Sequence, residues 1–334
     1  MLIKLFMLMT AVTSAMFFKG SEFAFVSAFG PKDIFLLGVV INQATLEAAY
    51  SGFKTVFQQA YDGASTKLRE LSVVVPSSAR QEEYKWLGQF PGLREWIGER
   101  VVKDLSVDGF IIKNRDFEAT VAVDRNDLED DAIGLYRPMV EQLGETAKQH
   151  PDQLIFDLLV GGFSSACFDG QFFFDVDHAN GDLSAWSNKG TAALDATAYQ
   201  DARAQMMSLV NDENRPLRIT PNMLIVPPQL EGTARAIIRA DKSANGETNI
   251  WKDSADIMVA PELAANPTYW FLADLRHAAK PFIFQTRREP QFVALDHLND
   301  ENVFMRKEYI YGVDYRGNSG CGLPHLIFGS TGGA

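Results

Sequence analysis

The sequence predicts an α+β protein built around one long helix. Residues 138–160 form an amphipathic segment that would span about 34 Å as a helix, which is long for a globular protein. After this segment, short apolar runs typical of strands alternate with further amphipathic stretches, and this order indicates a mixed α+β unit. The sequence contains no internal repeat and no low-complexity tract.

Apolar residues that recur on one face define the long helix. Pro151 lies inside the pattern and lacks the N–H donor that a helix interior needs, so it predicts a bent helix or two helices in tandem. Gly161 and Gly162 predict the end, because glycine readily adopts positive φ. The face consists of Tyr136, Val140, Leu143, Ala147, Leu154 and Leu158.

Composition and charge are those of an ordinary folded protein. The chain has 334 residues, 46% of them hydrophobic and 22% charged, enough to bury a core in one or two domains. A net charge of -12 and the lack of any basic run argue against a chain that neutralises phosphates. Cys167 and Cys321 have no metal-binding context, so we expect two reduced, buried thiols and no cofactor.

Residues 1–40 differ from the rest of the chain. Residues 1–18 are almost continuously apolar around Lys4, as in a signal peptide or membrane anchor. The thin charged region and the lack of a secreted-protein cysteine pattern favour an upstream extension of the reading frame outside the fold, with translation starting near Val39 or Val40. A genuine N-terminal arm is the third alternative.

Residues 41–96 predict one helix, one short strand and an aromatic segment. Residues 43–61 have helical periodicity and residues 73–75 form a short strand. Residues 84–96 carry closely spaced aromatic side chains, which mark either core or a contact with a neighbouring subunit. The candidate contact residues are Trp86, Phe90 and Trp96.

Two strands and an acidic run precede the long helix. Residues 109–112 and 117–123 read as strands, and the residues between them fit a hairpin connection. Residues 124–131 hold five acids, but Leu128 and Glu129 occupy the wrong positions for a calcium loop. The run therefore predicts a helix N-terminus, where acids face the positive end of the dipole.

The second half of the chain predicts alternating elements. Residues 181–190 read as a polar loop, and residues 329–333 as a frayed tail. The predicted helices are 197–209 and 231–240, and the predicted strands are 223–226, 257–259, 270–272, 282–285, 292–294 and 308–313.

One acidic cluster is the strongest candidate for chemistry. Asp169, Asp175, Asp177 and His178 could hold a divalent metal, and the last three would serve a metal-dependent hydrolase. A catalytic zinc site needs three protein ligands, and the sequence has no HExxH, phosphate loop or nucleophile elbow. A capped or solvated turn is the better interpretation, and the hydrolase stays as the alternative.

Two aromatic runs carry a specific resemblance. Residues 169–178 read Asp-Gly-Gln-x-Phe-Phe-Asp-x-Asp-His, and residues 86–91 read Trp-Leu-Gly-x-Phe-Pro. Together with 117–121, 128–131 and 280–285 they resemble the Mu-like phage major head subunit family, and the match extends over about 41–328. The run 169–178, called here the signature turn, includes Asp169, Gly170, Gln171, Asp175, Asp177 and His178.

The resemblance implies a Hong Kong 97-type major capsid fold, with peripheral and axial domains, a long spine helix and an extended β-hairpin loop. Residues 1–40 have no family counterpart. Pro324 lacks a backbone donor for a sheet, so the last strand is either doubtful or lies at a sheet edge. The implied parts are an N-terminal arm and helix at 41–72, a peripheral domain at 73–220 with its loop at about 86–123 and spine at about 138–160, an axial domain at 221–281, and a return to the peripheral domain with a C-terminal tail at 282–334.

The resemblance also implies a structural protein rather than an enzyme. Such a major capsid protein self-assembles as a homo-oligomer of hexamers and pentamers into the icosahedral shell of a tailed phage or prophage. The shell encloses DNA without sequence-specific binding, with a separate scaffold or protease and a portal as partners and no membrane. The implied location is the virion, and the host cytoplasm during assembly.

Overall fold

The structure, a computed structural model, describes residues 41–85, 87, 110–130, 133–180, 183–211, 214–243 and 245–333. The α-helices in those ranges are α1 (Gln43–Gly63), α2 (Leu68–Leu71), α3 (Arg125–Glu129), α4 (Arg137–Gly161), α5 (Ala196–Met207), α6 (Glu231–Ile238) and α7 (Glu301–Arg306). The strands are β1 (Ser72–Pro76), β2 (Gln81–Tyr84), β3 (Phe110–Lys113), β4 (Arg115–Asp124), β5 (His178–Asn180), β6 (Leu183–Trp186), β7 (Lys189–Gly190), β8 (Met223–Val226), β9 (Asp256–Val259), β10 (Trp270–Ala273), β11 (Phe282–Leu295), β12 (Glu308–Cys321) and β13 (Ile327–Ser330). The predicted α+β class is confirmed.

The chain divides into two compact units, which are described separately. The smaller unit comprises Met1–Phe53, Val121–Pro138 and Ala294–Tyr311. The larger comprises Lys54–Thr120, Met139–Val293 and Gly312–Ala334. None of the described helices is both long and apolar enough to cross a membrane.

A five-stranded sheet forms the main core of the larger unit, in the order β7-β13-β10-β8-β9. β10 pairs antiparallel with both β13 and β8, and the outer pairs β8–β9 and β13–β7 are parallel. All four residues of β10 are buried, as expected for a central strand covered on both faces. Side chains from α5, α6 and the sheet share one apolar cluster that includes Tyr199, Ile238 and Trp270.

The predicted long helix is confirmed as α4, a single helix of 25 residues. Val140, Leu143, Ala147 and Leu154 are buried as the periodicity predicts, whereas Tyr136 and Leu158 are half-buried. Two helices in tandem are not formed, so that part of the prediction is wrong. Pro151 is buried inside the continuous helix. Proline cannot donate the backbone hydrogen bond of a helix interior, but the packing of its buried neighbours in α4 compensates for the loss.

Gly144 lets α4 pack closely against the second half of α1. A Cβ at this position would lie 2.6 Å from the carbonyl oxygen of Phe57 and 3.0 Å from the backbone nitrogen of Tyr61. No side chain fits at these distances without a backbone shift. The glycine therefore sets how closely these two helices approach, although glycine disfavours a helix interior by about 1 kcal/mol.

A four-stranded sheet has the order β1-β11-β12-β4. β1 pairs parallel with β11, from Ser72 opposite Phe282 to Pro76 opposite Thr286. The two short strands predicted at 282–285 and 292–294 are one strand, β11, and the strand predicted at 308–313 continues to Cys321 as β12. Polar residues on the exposed face of β11 hid this continuity from a search for apolar runs.

The predicted hairpin between 109–112 and 117–123 is wrong. β3 pairs antiparallel with β2, whereas β4 lies beside β12. Only Asn114 separates β3 from β4, and a hairpin needs at least a two-residue loop. The Asn114 side chain instead donates to Ser77 Oγ at 2.9 Å and to the carbonyl oxygen of Ala79 at 2.8 Å, which holds it at the turn between β1 and β2.

The C-terminal region also differs from prediction. Pro324 lies in a 3-10 turn before β13, and β13 is an interior strand of the five-stranded sheet rather than an edge strand. The final residues are not frayed, because Ser330 is fully buried and its Oγ donates to the carbonyl oxygen of Ala192 at 2.7 Å. The predicted polar loop at 181–190 contains strands in its described part, β6 and β7.

In the smaller unit, the acidic run begins a helix as predicted. Asp124 is the N-cap of α3, and its side chain accepts the backbone N–H of Asn126 at 2.7 Å. Tyr136 donates a hydrogen bond to the Asp127 carboxylate. Phe53 and Tyr311 pack edge to face with ring centroids 5.0 Å apart, which gives this unit an aromatic contact of its own.

The signature turn and candidate assembly surfaces

The signature turn folds back onto the end of α4 through backbone hydrogen bonds. The N–H of Phe174 donates to the carbonyl oxygen of Gly162 at 2.9 Å, and the N–H of Cys167 donates to Gln171 at 2.7 Å. Gly170 adopts a φ of +83°, a conformation that favours glycine over other residues. The Asp-Gly-Gln sequence therefore makes a tight reversal immediately before the aromatic pair.

Asn188 joins the signature turn to the C-terminal strand. Its amide nitrogen donates to the carbonyl oxygens of Phe173 at 2.9 Å, Pro324 at 3.0 Å and Ile327 at 3.2 Å. Its side-chain oxygen accepts the N–H of Asp175 at 3.0 Å. Asn188 is only 1% exposed, so these contacts satisfy polar groups that water does not reach.

His178 is fully buried next to two acceptors. Its Nδ1 lies 2.5 Å from the Asp169 carboxylate and its Nε2 lies 3.2 Å from the side-chain oxygen of Asn188. The ring stacks on Trp186 at a centroid distance of 4.5 Å. A carboxylate accepts hydrogen bonds, so Nδ1 of His178 is the donor to Asp169, and the ring packs beside Asn188.

The two other acidic residues of the signature turn face different surroundings. Burial opposes ionisation of Asp175, but hydrogen bonds from the backbone N–H groups of Val176 and Phe172 outweigh it and lower the pKa of this carboxyl. Asp177 is exposed, whereas His178 points inward. Within the described ranges, no three His, Cys, Asp or Glu side chains are placed to hold a metal ion.

The aromatic residues of the signature turn fill the core beside α4. Phe173 and Phe174 are fully buried, with ring centroids 5.1 Å from Phe282 and 5.4 Å from Phe271, respectively. A Cβ on Gly329 would lie 2.9 Å from the Phe174 ring, so this glycine of β13 makes room for the aromatic side chain. The Phe-Phe pair is therefore structural.

Cys167 and Cys321 are free and buried, as predicted. The neighbouring thiol of Cys321, together with burial, raises the pKa of the Cys167 thiol. About 150 residues separate the two cysteines, so no local pattern predicted that both would lie in one buried cluster.

A second aromatic cluster lies beside α4 in the larger unit. His150 hydrogen-bonds to Tyr315, and Phe117 stacks on Tyr315 with centroids 5.0 Å apart. These residues and Ala147 line a cavity of about 120 Å³. Burial and the nearby Arg115 guanidinium lower the pKa of His150, so its ring stays neutral further into the acid range.

The smaller unit carries an apolar surface at the connection between β11 and β12. Asn302 is buried, and its side chain donates to the carbonyl oxygens of Leu295 at 3.0 Å and Glu308 at 2.6 Å, which closes the connection. Phe304 is 84% exposed and Met305 is 68% exposed on α7. We call residues 295–308 the α7 tip. An exposed aromatic side chain on a braced loop is typical of a protein contact surface.

The candidate contact residues Trp86, Phe90 and Trp96 lie outside the described residues. Their role in subunit contacts stays a prediction. Residues 1–40 and most of the loop predicted at 86–123 lie outside as well.

A family model described as the Mu-like prophage major head subunit gpT matches residues 46–192, 183–263 and 264–333. This chain belongs to that family. The resemblance inferred from the signature turn is therefore confirmed, and the match covers almost the whole described chain. In this head subunit, Asn188 and His178 are buried polar residues of the core.

Two curated relatives are similar over most of their length. The major capsid protein of Escherichia phage Mu is 30% identical over 285 residues, which cover 85% of this chain and 73% of that protein. The Mu-like prophage FluMu major head subunit of Haemophilus influenzae is 31% identical over 287 residues, with the same coverage of 85% and 73%.

A solved structure similar to this head subunit is the procapsid of bacteriophage JBD30. The two chains are 32% identical with a TM-score of 0.59, and the match covers 87% of this chain and 76% of that one. The predicted Hong Kong 97-type capsid fold is thereby confirmed.

Two features of this head subunit were not predicted from the sequence. Asn188 is a single polar residue in a stretch that reads as a loop, and nothing local marks it as the contact between distant segments. The α7 tip had a weak signal, since Phe304 and Met305 are apolar residues in a charged stretch. The structure shows that Val303 lies on the buried face of α7, which leaves Phe304 and Met305 exposed.

Proposed function

We propose that this head subunit assembles with copies of itself, as hexamers and pentamers, into the icosahedral shell of a Mu-like tailed phage or prophage. It is a major capsid protein and a structural component of the phage head. The observation that carries the assembly proposal is family membership over nearly the whole described chain, combined with a 0.59 TM-score to a procapsid subunit. Multimeric shells are the context in which this fold occurs.

The α7 tip is our candidate for one subunit contact. Its exposed Phe304 and Met305 would be an unfavourable surface on an isolated soluble protein, and burying them against a second copy removes apolar area from water. Asn302 and the left-handed Lys307, which ends α7, hold the tip in one conformation before contact. A braced surface loses little conformational entropy on binding.

The domain assignment follows from the proposed shell role. α4 is the spine of a peripheral domain at 73–220, and β8, β9 and β10 belong to an axial domain at 221–281. β7 and β13 complete the same five-stranded sheet, so we propose that the axial domain also includes 189–190 and 327–330. This assignment replaces part of the peripheral return expected for 282–334.

The shell would enclose DNA without reading its sequence. A net charge of -12 suits a container, because a strongly basic inner wall would hold the packaged DNA by its phosphates. A separate scaffold or protease and a portal would be supplied by other phage proteins. Assembly would occur in the host cytoplasm before the subunit becomes part of the virion. We propose no catalytic role.

Sedimentation velocity on the purified full chain tests self-assembly. We expect species of hexamer mass or larger, whose fraction increases with concentration. A chain that stays monomeric at high concentration, alone and when co-expressed with the scaffold of its phage, would contradict the proposal. Intact-mass spectrometry of the same product would show whether residues 1–40 are retained, because the extension hypothesis requires a start near Val39 or Val40.

A further inference from the structure

The cavity beside α4 in the larger unit has the size and walls of a site for an aromatic ring. Its volume is about 120 Å³. An apolar protein cavity of about 150 Å³ is large enough to bind benzene. Glu118 and Thr146 line the cavity and are exposed, so it opens to solvent. Its apolar walls come from α4, β4 and β12 and consist of Phe117, Ala119, Ala147, Val313 and Tyr315.

The walls of this cavity are held in place by contacts within the subunit. His150 hydrogen-bonds to Tyr315, and the His150 ring centroid lies 4.5 Å from that of Phe117. Tyr315 is buried in a cluster with Leu154 and Phe284, which holds it from the other side. A preformed apolar cavity loses little free energy to reorganisation when it takes up a side chain.

The rim of the cavity carries two carboxylates. Glu118 is one of them, and Glu145 is exposed on α4 next to the lining residue Thr146. The nearby cation, Arg115, lies over the Phe117 ring with its guanidinium carbon 5.3 Å from the ring centroid. A side chain that fits this cavity should therefore be apolar and accompanied by positive charge.

The α7 tip has this combination of features. Phe304 is 84% exposed, and Met305 beside it is 68% exposed. Arg306 and Lys307 follow directly and are exposed as well. Because Phe304 is exposed within its own chain, a Phe304 ring that fills the cavity comes from a neighbouring copy.

We propose that Phe304 of one subunit inserts into the cavity of the next subunit, with Lys307 placed beside Glu118. This inference rests on the proposed assembly and identifies the surface that receives the α7 tip. The tip and the cavity are different surfaces, so the contact is heterologous, and such contacts close into a ring when the rotation between neighbours fits. Hexamers and pentamers of the proposed shell are rings of this kind.

Cysteine cross-linking between two variants of the full chain tests the contact. Lys307→Cys and Glu118→Cys are mixed in equal amounts, under conditions in which the wild-type chain sediments as assemblies, and oxidised with copper phenanthroline. The expected product is a covalent dimer that contains one chain of each variant. Each variant oxidised alone should stay monomeric, because its new cysteine then faces no second one. Cys167 and Cys321 are buried, so the wild-type chain measures the background.

Asp201→Cys is the matched control for Glu118→Cys, because it replaces another exposed acid, on α5. Mixed with Lys307→Cys, it should give at most one tenth as much covalent dimer, as a rough criterion for a specific contact. Equal yields from the two mixtures would overturn the proposal, as would a Lys307→Cys chain that links to itself. No dimer between positions 307 and 118 while the wild-type chain assembles would also overturn it. A wild-type chain that does not assemble would overturn the proposed function and this contact together.

Charge reversal at the same two positions gives an independent measurement. Glu118→Lys and Lys307→Glu should each lower the fraction of subunit that sediments as assemblies by about fivefold, because like charges would meet at the rim. The double variant should recover most of the wild-type fraction, since the two charges are again opposite. Losses that add in the double variant would show that these two residues do not meet, and would overturn the proposal.

Discussion

The side-chain oxygen of Asn188 accepts the backbone N–H of Asp175 at 3.0 Å, while its amide nitrogen donates to the carbonyl oxygens of Pro324 and Ile327 at the turn that leads into β13. One side chain thus connects the signature turn with the C-terminal strand inside the larger unit. Asn188 is itself buried, so its loss would leave the N–H of Asp175 without this acceptor in a place that water does not reach.

We predict that Asn188→Ala lowers the free energy of unfolding by about 3 kcal/mol, because several buried polar groups lose their partners and a cavity forms. Urea denaturation followed by circular dichroism measures the change. Asn245→Ala, at an exposed position, is the control and should change stability by less than about 0.5 kcal/mol. Similar losses in the two variants would show that Asn188 does not hold these segments together.

His325 should make the subunit less stable in acid. Burial, followed by the charges of His277 and His178, lowers the pKa of His325 to about 3. The unfolded chain has the higher pKa and binds the proton first, so stability should fall as the pH drops from about 6.5 toward 3, by up to roughly 1.4 kcal/mol per pH unit. Above about pH 6.5 this residue contributes no slope.

The measurement is the slope of unfolding free energy against pH between 6.5 and 4.5. His325→Gln should flatten the slope, although the variant starts from a lower stability because the buried ring is lost. His297→Gln replaces an exposed histidine and is the matched control. An unchanged slope in His325→Gln would assign the acid sensitivity to other groups.

Two helical glycines should respond in opposite directions to alanine. At Gly52 in α1, a Cβ would have no atom within 4 Å, so Gly52→Ala should stabilise by up to about 1 kcal/mol. At Gly144 in α4, the Cβ would lie 2.6 Å from the carbonyl oxygen of Phe57, so Gly144→Ala should destabilise by about 1–3 kcal/mol. Thermal unfolding of both variants measures these changes. If both substitutions stabilised the protein, α4 would not approach α1 closely at Gly144.

The α7 tip should matter for assembly rather than for folding. Phe304→Glu places a charge where an apolar side chain is 84% exposed, so the subunit should fold normally but lose at least tenfold in the fraction that sediments as assemblies. Glu301→Gln alters an exposed residue of the same helix without changing apolar surface, and it should assemble like wild type. If Phe304→Glu assembles fully, the tip is not a contact.

The sequence predicted elements well where periodicity or capping was local. The long helix, the helix N-terminus at the acidic run and the buried strand β8 followed from spacing and residue type. Strand pairing was predicted less well, because the partner of β3 depends on Asn114 binding a distant turn. Pro151 was overestimated as a helix breaker, since tertiary packing outweighed local propensity.

The candidate site was likewise predicted only in part. The residues of the signature turn were found because their sequence is distinctive, but the polar contacts that fix them come from Asn188, which no local pattern marks. The same is true of Cys167 and Cys321, which lie in one buried cluster although about 150 residues separate them. Contacts between distant segments are what single-sequence reasoning cannot supply.

Electron microscopy of particles from cells that express the full chain with the scaffold of its phage tests the central claim most directly. We predict closed icosahedral shells in which copies of this subunit form the hexamers and pentamers. Cells that contain the soluble, folded subunit and the scaffold but yield no shells, only monomers or irregular aggregates, would contradict the assignment as a shell-forming head subunit.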